Sequence, residues 1–272
     1  MNGSKRTGWM AWPPVVFLVV FFVVPTGIVM SYSVLERDFY GQVRPHFSLD
    51  GWRQAIDPIT LSVLSRSVTL ALCVTFSCLV LGYPCALALA RVGLPWRRYW
   101  AVLISFPLVT SLLLRIYGWM NLLPLEWRGT IWAVGLVMSV NYLPFMLLPL
   151  LKSLEGMDRD MVHAATDLGA TSWQTFRLVT WPLTRPGAIA GCALVFIPST
   201  GDYLVPHFFG EGRFNVLGTL IVQQFMERRN WPYAAASSLW LLALVCVPLL
   251  LWLGASRLHP ALTGKMWDNV DE

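Results

Sequence analysis

The chain has 272 residues, of which 56% are hydrophobic and 13% charged, with a net charge of +5. Soluble domains carry about 25% charged residues, and disordered chains are poor in apolar ones. Both classes are excluded, and a polytopic membrane protein is expected. The basic residues are scattered between apolar runs and form no single basic face, so the positive balance is no sign of a nucleic-acid partner. Cytoplasm-facing Lys and Arg account for it.

A membrane-spanning helix needs about 20 mostly apolar residues. The first such run, 11–30, is uncharged and follows Lys5 and Arg6. It is too long for a secretory signal, and no small-x-small cleavage site follows it. It is expected to be a retained helix with its N-terminus inside. Further runs at 63–90, 99–123, 130–151, 187–209 and 234–255 give six spans with both ends cytoplasmic. The short loop 91–98 supports this orientation, since it holds Arg91, Arg97 and Arg98 and no acid. The cysteines Cys73, Cys78, Cys85, Cys192 and Cys246 all lie in apolar runs and are read as small packing residues. The chain divides into 1–62 (tail, first span and external segment), a core at 63–258 and a cytoplasmic tail at 259–272.

The connections differ in length. Stretches 33–62 and 210–233 are polar and external, and 124–129 is very short. The insertion 152–186 carries both charge signs, and long loops of this kind are usually functional. Within it Asp158 can cap a helix whose Met161, Ala164, Ala165 and Leu168 recur with helical period. Gly169 follows where a helix end wants positive φ. Thr171 and Gln174 have the spacing of a capping box. A second short helix is then expected to stop at Pro182, with Pro186 in the first turn of the next span. The loop presents small residues, which permit close approach of a partner.

This loop resembles the cytoplasmic motif of inner-membrane permeases from binding-protein-dependent ABC importers. Their pattern is Glu-Ala-Ala, three residues, Gly, nine residues, an aliphatic, one residue, then Leu-Pro. Here it reads His163-Ala164-Ala165, Gly169, then Val179-Thr180-Trp181-Pro182 with the spacing intact. His163 replaces the glutamate and Trp181 the leucine. Asp167-Leu168-Gly169-Ala170, Tyr142-Leu143-Pro144-Phe145-Met146, Arg115 with Trp119, and Asn230-Trp231-Pro232 are similar to the spermidine/putrescine-type branch. The loop at 124–129 is shorter than that branch usually has.

The resemblance implies an all-α membrane protein with the type I importer permease fold and a coupling-helix loop. It also implies a second permease subunit, two cytoplasmic ATPases and an extracytoplasmic solute-binding protein as partners. His163, Ala164, Ala165, Asp167, Gly169, Ala170 and Pro182 would then couple to the ATPase. ATP and Mg are expected on that partner, because this chain has no G-x-x-x-x-G-K-[ST] phosphate loop. Polyamines are the solute the resemblance favours, with ferric iron, sulfate, opines, phosphonates and small organic anions as alternatives.

Two charges lie deep in apolar runs, Arg115 and Asp202. An ionised group there costs at least about 2.5–3.5 kcal/mol, so it faces a partner or a water-filled cavity. Either Asp202 and Tyr203 line the solute path, with Arg115 and Trp119, or Asp202 and Arg115 pair and join two helices. Pro198, Gly201 and Pro206 surround Asp202, and either a broken helix or a plain kink follows. The four histidines, His46, His163, His207 and His259, are far apart in sequence, and neither H-E-x-x-H nor G-x-S-x-G occurs. No catalytic or metal site is expected. An intramembrane enzyme would need a catalytic cluster that is not found, while a secondary carrier or channel would need a self-contained gating cycle.

Overall fold

A computed structural model describes residues 7–258 and divides the chain into two compact units. Ser62–Thr219 forms one, and the chain on either side of it forms the other. The tail at 259–272, with Lys265, and the basic pair Lys5 and Arg6 lie outside the described residues.

The flanking unit opens with helix α1, Thr7–Tyr32. Its segment Trp12–Tyr32 has a mean hydropathy of 2.4, and none of its most apolar window is buried inside the chain. An apolar helix without a buried face requires a non-aqueous surrounding, as a bilayer provides. The stretch 33–62, expected to be polar and external, has a structure of its own. It folds into antiparallel strands β1, Leu35–Arg37, and β2, Val43–Phe47, followed by helix α2, Asp50–Ala55. Asp38 holds the hairpin turn by accepting the Phe39 N–H at 2.7 Å and pairing with Arg44 at 2.7 Å. Helix α12, Trp231–Leu258, packs on α2 through a close approach at Gly51, where a Cβ would lie 2.8 Å from the Pro232 carbonyl oxygen. Thr60 and Tyr233 share a buried hydroxyl contact at 2.6 Å, and Asn230 donates to Gln54 at 3.1 Å.

The central unit is built on three long helices: α3, Pro58–Arg91, which enters it at Ser62; α6, Ile131–Glu155; and α9, Trp181–Gly201. Its core gathers Val74, Cys78, Ile116, Val137, Met146, Leu150, Val195 and Phe209. Helices α6 and α9 approach unusually closely because Gly187 and Gly191 stand one turn apart on the facing side. A Cβ on Gly187 would sit 2.7 Å from the Pro149 carbonyl oxygen, and one on Gly191 would sit 3.2 Å from that of Met146. Small residues at i and i+4 bring backbones together in this way when lipid supplies no drive for association.

The expected span 99–123 is two helices, α4, Leu94–Val109, and α5, Leu112–Leu122, bent by 101°. Thr110 and Ser111 are extended between them, and Thr110 donates its hydroxyl to the Pro107 carbonyl. Local hydroxyl bonds of this kind compete with the helix, and apolarity alone could not reveal them. The span expected at 187–209 is likewise broken, into α9 and α10, Leu204–Gly210, with a bend of 59°. A plain kink at Pro198 is thereby ruled out. Pro198 stays within α9, and the break falls at Asp202, whose ψ of 122° is extended. Among the described residues, three helices are thus long and apolar enough to cross a membrane, or five with each bent pair as one span. The final helix, α12, is 28 residues long.

Two further expectations are corrected. Stretch 210–233 contains helix α11, Leu217–Met226, whose first turn is buried rather than solvated. The second helix of the 152–186 loop does not stop at Pro182. It runs from α8, Ser172–Thr175, through a π segment, Phe176–Thr180, straight into α9. Pro182 has no N–H and its ring crowds the carbonyl four residues back. The widened turn lies just where that clash would fall, so the helix continues.

Candidate functional site: a loop and an intramembrane polar chain

Helix α7, Arg159–Asp167, begins the loop, and Asp158 caps it by accepting the Asp160 N–H at 3.0 Å. It ends as its residues predict. Gly169 has φ +81°, its N–H bonds the Thr166 carbonyl at 2.9 Å, and the Ala170 N–H bonds the Ala165 carbonyl at 3.0 Å. These two bonds form a Schellman motif. The capping box is also present, with Thr171 N–H donating to Gln174 Oε1 at 2.8 Å.

Of the apolar stripe on α7, Ala165 is half-buried while Met161, Ala164 and Leu168 face outward. Leu168 is 88% exposed and nearby Trp173 66%. His163 lines a shallow cavity of about 250 Å³ with Leu87, Arg91, Leu154 and Val162. The loop is therefore firmly built and apolar on its free side.

The loop is tied to the helices by contacts the sequence did not announce. Tyr83 of α3 meets the Thr184 hydroxyl at 2.5 Å, and its ring packs 5.5 Å from those of Phe176 and Trp181. Arg97 pairs with Glu155 at 2.9 Å, fixing the start of α4 to the end of α6. Pro182 sits in the first turn of α9, and Ser172–Gly201 runs as one continuous helical lever.

At the far end of that lever lies Asp202. Its Oδ1 accepts the N–H groups of Leu204 and Val205 at 3.0 and 3.4 Å, and its Oδ2 accepts the Tyr142 hydroxyl at 3.2 Å. The carboxylate thus supplies acceptors for the first turn of α10, whose donors have no helical partner. Pro206 is cheap in that turn for the same reason. Arg115, one turn into α5, donates through Nη1 to Asn141 Oδ1 at 3.0 Å. The two charges do not pair directly. Adjacent α6 residues, Asn141 and Tyr142, divide them instead.

Trp119 is half-buried against the core, whereas Tyr203 remains 40% exposed at the break. Asn141 and Tyr142 are the site residues that sequence reasoning missed as a pair. Tyr142 stands in a motif that carries the family resemblance, but nothing in that motif announces its bond to Asp202. Among the described residues no group of three or more His, Cys, Asp or Glu side chains converges as a metal site would.

Residues 79–259 match the family model described as the binding-protein-dependent transport system inner membrane component. The chain belongs to this family. It is 36% identical over 275 residues to the spermidine/putrescine transport system permease protein PotB of Salmonella typhimurium (strain SL1344), covering 94% of this chain and 96% of that protein. It is equally similar, 36% over 260 residues, to PotB of Escherichia coli (strain K12), covering 89% and 94%. Among solved structures, one chain of a bacterial alginate ABC transporter in complex with its alginate-bound periplasmic protein superposes with a TM-score of 0.68 at 13% identity. That match covers 92% of this chain and 93% of the other and establishes the fold, that of a type I importer permease. The permease is a membrane component of an import system, consistent with its apolar helices.

Proposed function

We propose that this permease is one of two membrane subunits of an ATP-driven polyamine importer in the bacterial inner membrane, forming half of the solute path. The observation that carries the solute assignment is the 36% identity to PotB permeases along nearly the full length of both proteins. Both termini are cytoplasmic in this reading, so the 152–186 loop meets an ATPase and stretches 33–62 and 210–233 face the binding protein.

Hydrolysis takes place on the partner, which holds ATP and Mg. The chain itself is non-catalytic, a reading supported by the lack of a phosphate loop in its sequence. The outward Met161, Ala164 and Leu168, with His163, Asp167, Gly169 and Ala170 around them, dock in a groove of the ATPase. When that partner closes, the lever Ser172–Gly201 carries the movement to the break at Asp202. A break held by one side chain can be re-aimed without unfolding either helix, which suits a gate.

The experiment is uptake of labelled spermidine in a strain lacking this gene and then restored with it. Restoration of energy-dependent uptake, competed by putrescine and not by a phosphonate or sulfate, supports the proposal. Loss and recovery of phosphonate or sulfate uptake instead, with spermidine unaffected, overturns the solute assignment.

A further inference from the structure

Where α3 and α6 end, three side chains able to donate hydrogen bonds meet around one cavity. It has a volume of about 250 Å³ and is lined by Arg91 of α3, His163 of α7 and Thr180 of the π segment, with Leu87, Leu154 and Val162 among its apolar walls. None of the three polar side chains makes a hydrogen bond or ion pair among the described residues. Thr180 is only 7% exposed, so the cavity is its route to a partner. Arg91 and His163 are exposed, and the cavity is open to a ligand from their side.

The charge of the site has one sign. No acid lines the cavity. Glu155, beside Leu154, is already taken by Arg97 at 2.9 Å. Asp160 and Asp167, a turn before and after His163 on α7, form no part of the wall. The site therefore suits an anion with several acceptor oxygens, and a phosphate group has that chemistry.

Depth decides which phosphate. The uncharged run of α6 ends at Lys152, and Leu154 follows within the same turn. A helix that starts at Ile131 reaches Leu154 after about 35 Å, and the hydrocarbon core of a bilayer is about 30 Å thick. The cavity thus lies at headgroup level. On α3, Val80, Pro84, Leu87 and Arg91 recur on one helical face, and Val80 and Pro84 are exposed. This apolar stripe leads acyl chains to Arg91. Basic pockets between helix ends are known receptors for lipid headgroups. A zwitterionic headgroup would bring an ammonium that finds no acid here, whereas an anionic one would not.

We propose that this cavity binds the phosphate of an anionic phospholipid, with Arg91, His163 and Thr180 as its donors. An imidazole carries an N–H in either tautomer. The glutamate of the importer pattern would instead set a carboxylate against the phosphate. The histidine in its place lets a lipid tie the end of α3 to the loop. The proposal rests on the reading of that loop as cytoplasmic only for the leaflet from which the lipid comes.

The test is lipid binding by the complex of both permeases and the ATPase, delipidated in detergent and titrated with phosphatidylglycerol or phosphatidylcholine. Native mass spectrometry reads the tightest-bound lipid. Wild type is expected to prefer phosphatidylglycerol. Arg91→Gln and His163→Glu should each weaken that lipid roughly tenfold, as loss of one charge-assisted hydrogen bond would. Arg91→Lys keeps the charge and should retain most of the affinity. Thr180→Val keeps the shape of the wall, so a severalfold loss in an assembled complex separates lost donation from misfolding. Undiminished phosphatidylglycerol affinity in Arg91→Gln and His163→Glu overturns the proposal, as does equal affinity of wild type for the two lipids. Displacement of the lipid by an equal concentration of inorganic phosphate would make this a free-anion site and overturn the lipid assignment. Detergent abolishes the leaflets, so these results hold whichever side the loop faces. Labelling of Leu168→Cys by an impermeant thiol reagent outside intact cells would overturn the orientation alone.

Discussion

Gly169 sits at φ +81° with no heavy atom within 4 Å of where a Cβ would project. In this chain alone its requirement is conformational, worth about 1–2 kcal/mol against an L side chain. A docked ATPase adds a steric demand. The variants Gly169→Asn and Gly169→Val separate the two. Asn tolerates the left-handed region, so it keeps the helix end and should retain coupled ATP hydrolysis only if close approach is not needed. Gly169→Val is expected to reach the membrane at normal levels but to abolish solute-stimulated ATPase activity; normal stimulation would end the coupling role. At Asp202, Asp202→Asn preserves the Oδ1 acceptor for Leu204 and Val205, so yield should stay near wild type. Asp202→Ala removes it and should cost about 1 kcal/mol, the usual loss for a missing helix-start acceptor. Because Arg115 bonds Asn141 rather than Asp202, Arg115→Gln should not rescue Asp202→Ala. Rescue, read as recovered thermal stability of the purified complex, would restore the direct ion pair that the structure lacks.

The helices that matter most are those whose ends meet. Gly187 and Gly191 let α6 and α9 touch backbone to backbone, so Gly187→Ala must force them apart and should destabilise by about 1–3 kcal/mol. Gly135→Ala, with nothing within 4 Å, should be silent in the same melting measurement. The π segment Phe176–Thr180 sets the angular phase between the loop and α9. Deleting Val179 would rotate the loop by roughly 100° relative to the span, since each helical residue turns by that amount. Insertion should survive and stimulated ATP hydrolysis should be lost. The loop's caps at Asp158, Gly169 and Thr171 were legible in sequence because capping is local chemistry, complete within four residues. The breaks were less so. Pro198 and Pro206 both flag trouble, but only the side chain of Asp202 decides where the chain turns. At Thr110–Ser111 apolarity is uninterrupted, and a count of apolar residues cannot tell a straight span from a bent one.

For the whole molecule, composition alone established a membrane protein, because no soluble fold can afford so little charge. The central helices and the loop followed from apolar run length and motif spacing. The polar chain Arg115–Asn141 and Tyr142–Asp202 did not, because it joins residues 26 and 60 positions apart. Long-range pairing leaves no periodic trace, and the two deep charges by themselves suggested each other. The central claim is that this permease, with its partners, moves polyamines at the expense of ATP. Its most direct test is uptake of labelled spermidine into proteoliposomes holding the complete complex and its binding protein, with ATP on the ATPase side. The account predicts ATP-dependent accumulation that disappears with Gly169→Val while the complex remains assembled. Equal accumulation without ATP, or ATP-driven accumulation of an anionic solute with spermidine excluded, would contradict it.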